Sequence, residues 1–225
     1  MKTVAARYQD CPPHELSPLA RGILAQIKRR GYAELSDVFT EEALAGVEEF
    51  ARQQCALRGQ TTFDLKQDKL RSSVVEGISK NPFVLGLMKA VMHEAGVPYD
   101  LRDYHCRMRI KLGPDSSAFD NAFHFDGSYL TGVMPVLVPR TTGRLLLATR
   151  MRPYLRRERY DTLSRRFYAS GPVQKFFRAG NPFIKKVPYT RGAMLFFKGF
   201  TTLHAGEPAG ADSERIIVLF HIGNR

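Results

Sequence analysis

The sequence predicts a mainly β (α+β) domain, a sandwich or jelly roll with helices in front of it and a helical insertion within it. Three observations predict this. Helical spacing of apolar residues dominates residues 1–98. From residue 99 onward short apolar runs of period two alternate with turn signals, the pattern of a strand-rich core. That pattern is interrupted once, over about 150–180, where the spacing turns helical and arginines crowd in. No repeat, low-complexity tract or linker divides the 225 residues, so one domain spanning 1–225 is expected.

Each element has its own signal. Residues 18–30 carry Leu19, Ile23, Leu24 and Ile27 at helical spacing, a basic last turn, and then Gly31 as a C′ residue. Tyr32 to Leu35 reads as a short strand. Thr40-Glu41-Glu42 is a helix start, an N-cap hydroxyl followed by acids at the positive end of the dipole, and the helix runs to about Leu57. Residues 59–80 are polar and read as a loop with one or two strand fragments. Asn81-Pro82 opens another helix, with Pro at N1. Cys106 to Leu112 alternates, with Arg107, Arg109 and Lys111 on one side and Met108, Ile110 and Leu112 on the other. Strands follow at Phe123–Tyr129, Gly132–Val138 and Gly143–Thr149. Within the insertion, Tyr160, Leu163 and Phe167 are spaced as on a helix that Gly171-Pro172 stops, with a further turn at Val173, Phe176 and Phe177. Strands resume at Phe183–Val187, Ala193–Phe197 and Arg215–Ile222.

The chain carries a formal charge of +12, and its placement is uneven. Arg140 to Arg191 holds 14 Lys/Arg against Glu158 and Asp161, so this stretch carries the whole excess. It suits an anionic partner: a carboxylate or phosphate ligand, a carrier protein, anionic lipid or nucleic acid. A solvated helix face accounts for it equally well. The longest fully apolar runs are far too short to span a bilayer. Met1 to Pro13 contains no apolar signal region, and the three scattered cysteines give no disulfide framework; both point to the cytoplasm.

The chemistry gathers at His124, Asp126 and His204. In a strand, residues i and i+2 face the same way, so His124 and Asp126 can share a pocket. His204, which follows the strand Ala193–Phe197 and comes just before Gly206, is the best candidate for a distant third ligand, completing a two-His, one-carboxylate triad suited to Fe(II) that leaves three positions of an octahedral ion open. Arg215 opens the run Ile216-Ile217-Val218-Leu219-Phe220. An arginine turned inward there needs a partner, and a dicarboxylate would supply one through bidentate, charge-assisted hydrogen bonds. At a strand edge it would simply be solvated.

At these residues the chain resembles the Fe(II)/2-oxoglutarate-dependent oxygenases, and within them the phytanoyl-CoA dioxygenase-like branch. The iron motif, His-x-Asp and a distal His, falls on His124, Asp126 and His204. The arginine that binds 2-oxoglutarate falls on Arg215, eleven residues after His204. Arg30 to Glu42 resembles the opening of that branch. The resemblance implies a double-stranded β-helix core of cupin-like type, with Fe(II), 2-oxoglutarate and O2 required. It also implies hydroxylation, desaturation or cyclisation of a small organic substrate, with release of succinate and CO2.

The pattern departs from the branch in places. Gly206 stands where a serine often helps hold the co-substrate, and Leu147-Ala148-Thr149-Arg150 replaces a Gly-Ser-His ending. Thr149, Thr141 or Thr142 are candidates for the missing hydroxyl, and Lys69 or Arg109 for a second carboxylate contact. Asp126 itself separates the site from the related halogenases, which have a small residue there. The insertion is the candidate substrate lid, with Arg152, Arg156, Arg157, Arg159, Arg165 and Arg166 among Tyr154, Tyr160, Phe167, Phe176 and Phe177. That mixture suits an anionic or carrier-bound substrate with an apolar part. It also leaves open a nucleic-acid-directed oxygenase. A cupin-like metal protein that uses no 2-oxoglutarate is a further alternative. His221 shares parity with Arg215, which turns it toward the interior.

Overall fold

The computed structural model describes residues 3–9, 11–113, 122–139, 143–149, 167–168, 170–178, 181–207 and 214–224. Most of the predicted basic insertion, including Arg152 to Arg166 and Tyr160, lies outside the described residues, as do Thr141 and Thr142.

A short helix, α1 (Ala6–Gln9), precedes α2 (Pro13–Arg30), which begins five residues before the apolar spacing suggests. Pro13 sits in the first turn, where its missing N–H would have no helical partner anyway. Leu16, Ala20, Ile23 and Ile27 then form one buried stripe, with Pro18 tolerated inside the helix. Gly31 ends it with φ +88°, its N–H bonded to the Ile27 carbonyl at 2.8 Å. β1 (Ala33–Leu35) leads to α3 (Glu41–Arg58), whose first turn is capped by Thr40 Oγ1 accepting from the Ala43 N–H at 3.2 Å.

The polar stretch 59–80 holds more structure than its composition suggests. It forms β2 (Thr62–Lys66), a 3₁₀ turn (Gln67–Leu70) and α4 (Val74–Ser79). Six residues are too few for a periodic signal, but Ser73 caps α4, and Glu76 accepts from the Ser72 N–H at 2.7 Å. α5 (Pro82–Glu94) starts at its Asn81 cap as predicted. β3 (His105–Lys111) follows.

Two corrections concern the core strands. Phe123–Tyr129 is not a strand: only an isolated bridge at His124 pairs, and regular pairing begins at Ser128. Asp126 is instead held by its N–H on the Gly199 carbonyl at 3.1 Å, which draws the chain off the ladder. From there a single strand, β4 (Ser128–Leu137), replaces the second predicted strand. After β5 (Leu145–Ala148), the helical residues 167–168 stop short of Gly171-Pro172, and the pair opens the further turns as a second helix, α6 (Gly171–Arg178), because proline suits a first turn. β6 (Lys185–Val187), β7 (Met194–Phe197), β8 (Leu203–Gly206) and β9 (Arg215–Asn224) complete the chain.

The strands form two antiparallel sheets, ordered β1-β7-β4-β9-β3-β2 and β6-β5-β8. One face of the larger sheet packs on the helices through Met108, Ile110, Met134, Phe196, Val218 and Phe220. Its other face meets the smaller sheet across Val133, Leu195, Phe197, Ile217, Leu219, Leu145 and Leu147. α6 covers the far side of the smaller sheet, with Phe177 against Leu146, Ala148 and Leu203. Helices, large sheet, small sheet and α6 are thus four layers, with a jelly-roll core between the two sheets. No helix among the described residues is long and apolar enough to cross a membrane.

Candidate metal centre and cavity

β8 places His204, the residues just before β4 place His124 and Asp126, and the strand pairing brings them together. His124 and His204 bond each other through the backbone in both directions, each N–H to the other's carbonyl at 2.9 Å. Each imidazole also gives its Nδ1–H to the carbonyl two residues before it: His124 to Ala122 at 2.8 Å, His204 to Thr202 at 3.0 Å. Both Nε2 lone pairs therefore face inward, the arrangement a metal ligand needs. Asp126 Oδ1 lies 3.4 Å from His204 Nε2 and 3.8 Å from His124 Nε2. The three donor atoms fall within 4.8 Å of one another. Cis ligands of one octahedral ion stand about 3 Å apart, so the cluster needs only a small inward adjustment to hold one.

The electrostatics agree with that shape. Burial and the neighbouring His204 push His124 down to about 4, despite the Asp126 carboxylate, so its ring is neutral and free to ligate. Burial alone would raise the Asp126 carboxyl. The imidazoles of His204, His221 and His124 outweigh it and hold the group well below the usual carboxylate range. His221 is buried and stacked on His105 with ring centroids 4.8 Å apart; burial brings it down to about 4.

The triad opens into a narrow cavity of about 30 Å³ between the sheets. Its apolar walls are Val133, Leu145, Phe197, Ile217 and Leu219, and its polar groups are Arg107, Arg109, Thr131, Tyr189, Arg215 and His221. Arg215 is 7% exposed and donates Nη1 to the carbonyls of Glu207 at 3.1 Å and Gly143 at 3.3 Å. Among the described residues no carboxylate pairs with it, so its charge is met only by backbone dipoles. Burial pushes the Tyr189 phenol up, with Arg215 and Arg109 opposing. Arg107 Nη2 donates to Asp64 Oδ2 at 2.9 Å, and Arg109 Nε lies 3.3 Å from Asp64 Oδ1 without hydrogen-bond geometry. Two guanidinium groups thus share one carboxylate.

Of the residues singled out from sequence, His124, Asp126, His204, Arg215 and Arg109 line this one cavity. Thr149 does not. It follows β5 beside Gly31, whose φ of +88° and lack of a side chain admit the threonine methyl, and it borders a separate cleft with Lys28 and Lys198. Lys69 is exposed in the 3₁₀ turn and pairs with Asp68 at 3.8 Å. Sequence reasoning missed Tyr189, Thr131, Asp64 and Gly199. It also missed Gln174 of α6, whose side chain bonds both backbone groups of Phe123, at 2.8 and 2.9 Å, and so pins the residue before His124.

No family model matches the sequence, and no curated protein matches it. Solved structures do. The non-haem α-ketoglutarate-dependent carbocyclase SnoK from nogalamycin biosynthesis superposes with a TM-score of 0.63 at 15% identity, covering 93% of this chain and 86% of that one. HygX from Streptomyces hygroscopicus, solved with nickel and 2-oxoglutarate bound, gives 0.61 at 13% identity, covering 91% and 86%. A prolyl 4-hydroxylase from Phytophthora capsici gives 0.60 at 11% identity, covering 95% of this chain and 66% of that one. The chain shares the jelly-roll fold of these proteins.

Proposed function

We propose that this chain is a non-haem Fe(II)/2-oxoglutarate-dependent dioxygenase acting on a small anionic or carrier-bound organic substrate. The observation that carries the reading is the convergence of His124 Nε2, Asp126 Oδ1 and His204 Nε2 at a cavity that also holds Arg215, with which no carboxylate among the described residues pairs. The donor set fits Fe(II): two imidazoles presenting Nε2 and one carboxylate, converging on one point. The likeness to SnoK, an α-ketoglutarate-dependent carbocyclase, and to HygX, which binds nickel and 2-oxoglutarate, supports it. The eleven-residue spacing from His204 to Arg215 supports the phytanoyl-CoA dioxygenase-like branch.

The chemistry such a centre supplies is oxidation of a C–H bond coupled to conversion of 2-oxoglutarate and O2 to succinate and CO2. The protein's own contribution is positioning. His124, Asp126 and His204 hold the metal through one face. Arg215 takes the far carboxylate of the co-substrate, helped by the Tyr189 hydroxyl, and Arg109 lies along the same wall. Leu145, Val133 and Leu219 keep water from the space between. Arg107 and Arg109 share the Asp64 carboxylate, which leaves surplus positive charge on this wall for an anionic group on the substrate. Thr149 and Lys69 lie outside the cavity and have no part in this assignment.

Anaerobic addition of Fe(II) and 2-oxoglutarate tests it. The expected result is a weak visible metal-to-ligand charge-transfer band that disappears in folded His124→Ala, Asp126→Ala and His204→Ala proteins. Persistence of the band in those variants overturns the assignment.

A further inference from the structure

We propose that Thr131 is a positioning residue that confines Asp126 to a single metal-binding oxygen and so keeps a coordination position free. This rests on the metal assignment above. The two carboxylate oxygens of Asp126 have different surroundings. Oδ1 faces His204 Nε2 and His124 Nε2 at 3.4 and 3.8 Å. Oδ2 accepts the Thr131 hydroxyl at 2.5 Å and points away from the imidazoles toward β4 and β9.

Thr131 is itself held. A hydroxyl has one hydrogen, and Thr131 spends it on Asp126, so it must accept from its other neighbours. Ser128 Oγ lies 3.4 Å away and His221 Nδ1 3.3 Å away, with 3.0 Å between Ser128 Oγ and His221 Nδ1. One direction of donation satisfies every group: His221 Nδ1–H to Ser128, Ser128 to Thr131, Thr131 to Asp126. All three residues are buried, at 1% exposure for Ser128 and Thr131 and 5% for His221, so water does not substitute for any link. Gly199 closes the other side. A Cβ there would stand 2.5 Å from Thr131 Oγ1 and 2.7 Å from Asp126 Oδ2, so only glycine allows the hydroxyl and carboxylate to meet.

The consequence follows from counting ligands. Three protein donors leave three of six octahedral positions, enough for a chelating 2-oxoacid and one more small molecule. A carboxylate free to swing both oxygens onto the ion would take a fourth position and leave none once the 2-oxoacid is bound. Thr131 holds Oδ2 off the ion.

The test uses the Fe(II)·2-oxoglutarate protein under anaerobic conditions, with nitric oxide as the probe of the remaining position and electron paramagnetic resonance as the readout. Thr131→Val removes the hydroxyl at nearly constant volume; Thr131→Ser keeps it. Expected are a high-spin iron–nitrosyl signal in the unsubstituted protein, nitric oxide binding at least about tenfold weaker in the folded Thr131→Val protein, and recovery in Thr131→Ser. A wild-type nitric oxide affinity in folded Thr131→Val overturns the proposal, as does Thr131→Ser behaving like Thr131→Val. If the unsubstituted protein gives no charge-transfer band with Fe(II) and 2-oxoglutarate, the metal assignment fails first and this proposal falls with it.

Discussion

The two faces of the six-stranded sheet are built from alternate residues of the same strands and have opposite characters. On β3, Cys106, Met108 and Ile110 meet the helices, while Arg107 and Arg109 enter the cavity. On β9, Ile216, Val218, Phe220 and Ile222 meet the helices, while Arg215 and His221 face the cavity with Ile217 and Leu219 between them. The helix face is uniformly apolar and close-packed. The cavity face gathers three guanidinium groups and the His221 imidazole at a cost in desolvation. Stability is concentrated on one side of the sheet, and chemistry on the other. The packed side makes the expensive side possible.

The largest effect expected is on the packed side. Phe220 is fully buried, and Phe220→Ala should cost about 3–5 kcal/mol in chemical denaturation. The folded fraction should keep its Mn(II) affinity; if affinity falls in step with stability, the two faces are not separable. On the cavity side, Arg215→Gln should weaken 2-oxoglutarate binding to the Mn(II) protein by about 2–5 kcal/mol in calorimetry. Its unfolding midpoint should hold or rise, because a buried charge with no carboxylate partner among the described residues is removed. A clear loss of stability would show that Arg215 is structural.

Gly199→Ala comes next. The added methyl must push Asp126 or Thr131 aside, and metal affinity should fall about 10- to 100-fold, or about 1.4–2.7 kcal/mol, with little change in thermal stability of the metal-free protein.

The smallest effect lies at the rim, where Glu207 follows β8. Hydrogen bonds from Arg144 hold the Glu207 carboxyl down to about 2 from an ordinary 4.5, against the effect of burial. A depressed carboxyl stabilises the fold fully above about pH 4.5 and loses that contribution as pH falls toward about 2. Arg144 is 38% exposed, so solvent screening limits the gain to about 0.5–1 kcal/mol. Glu207→Gln should therefore lower the unfolding midpoint slightly at pH 7 and reduce the acid-side decline of the unfolding curve. An unchanged curve would show the pair to be energetically neutral.

Much of the helix-facing half was legible because its signals are local. Caps at Thr40 and Asn81, the C′ glycine at Gly31 and the stripe on α2 each lie within a turn or two of sequence. α4 was missed because six residues hold too little periodicity, and β8 because four residues with a histidine in the middle do not alternate visibly. Gly171-Pro172 is ambiguous in principle, since the pair ends one helix as readily as it begins another. In the site, parity with Arg215 put His221 on the inner side, while Arg109 was chosen for its charge. Thr131, Tyr189, Asp64 and Gly199 could not be found that way, because their roles depend on which strands pair and in what register. Thr149 and Lys69 were chosen by chemical type without a positional signal, and the fold places both elsewhere.

The reciprocal backbone bonds between His124 and His204 have a bearing on assembly. The segment before β4 and the strand β8 are distant in sequence, and they meet only once both sheets have closed. The unfolded chain therefore presents no preformed triad, and metal affinity belongs to the completed fold. By linkage, a bound ion at a hundredfold excess over its dissociation constant adds about 2.7 kcal/mol to unfolding. A divalent ion thus becomes a gauge of closure: the concentration dependence of the melting temperature reports how much of the chain has joined its two sheets.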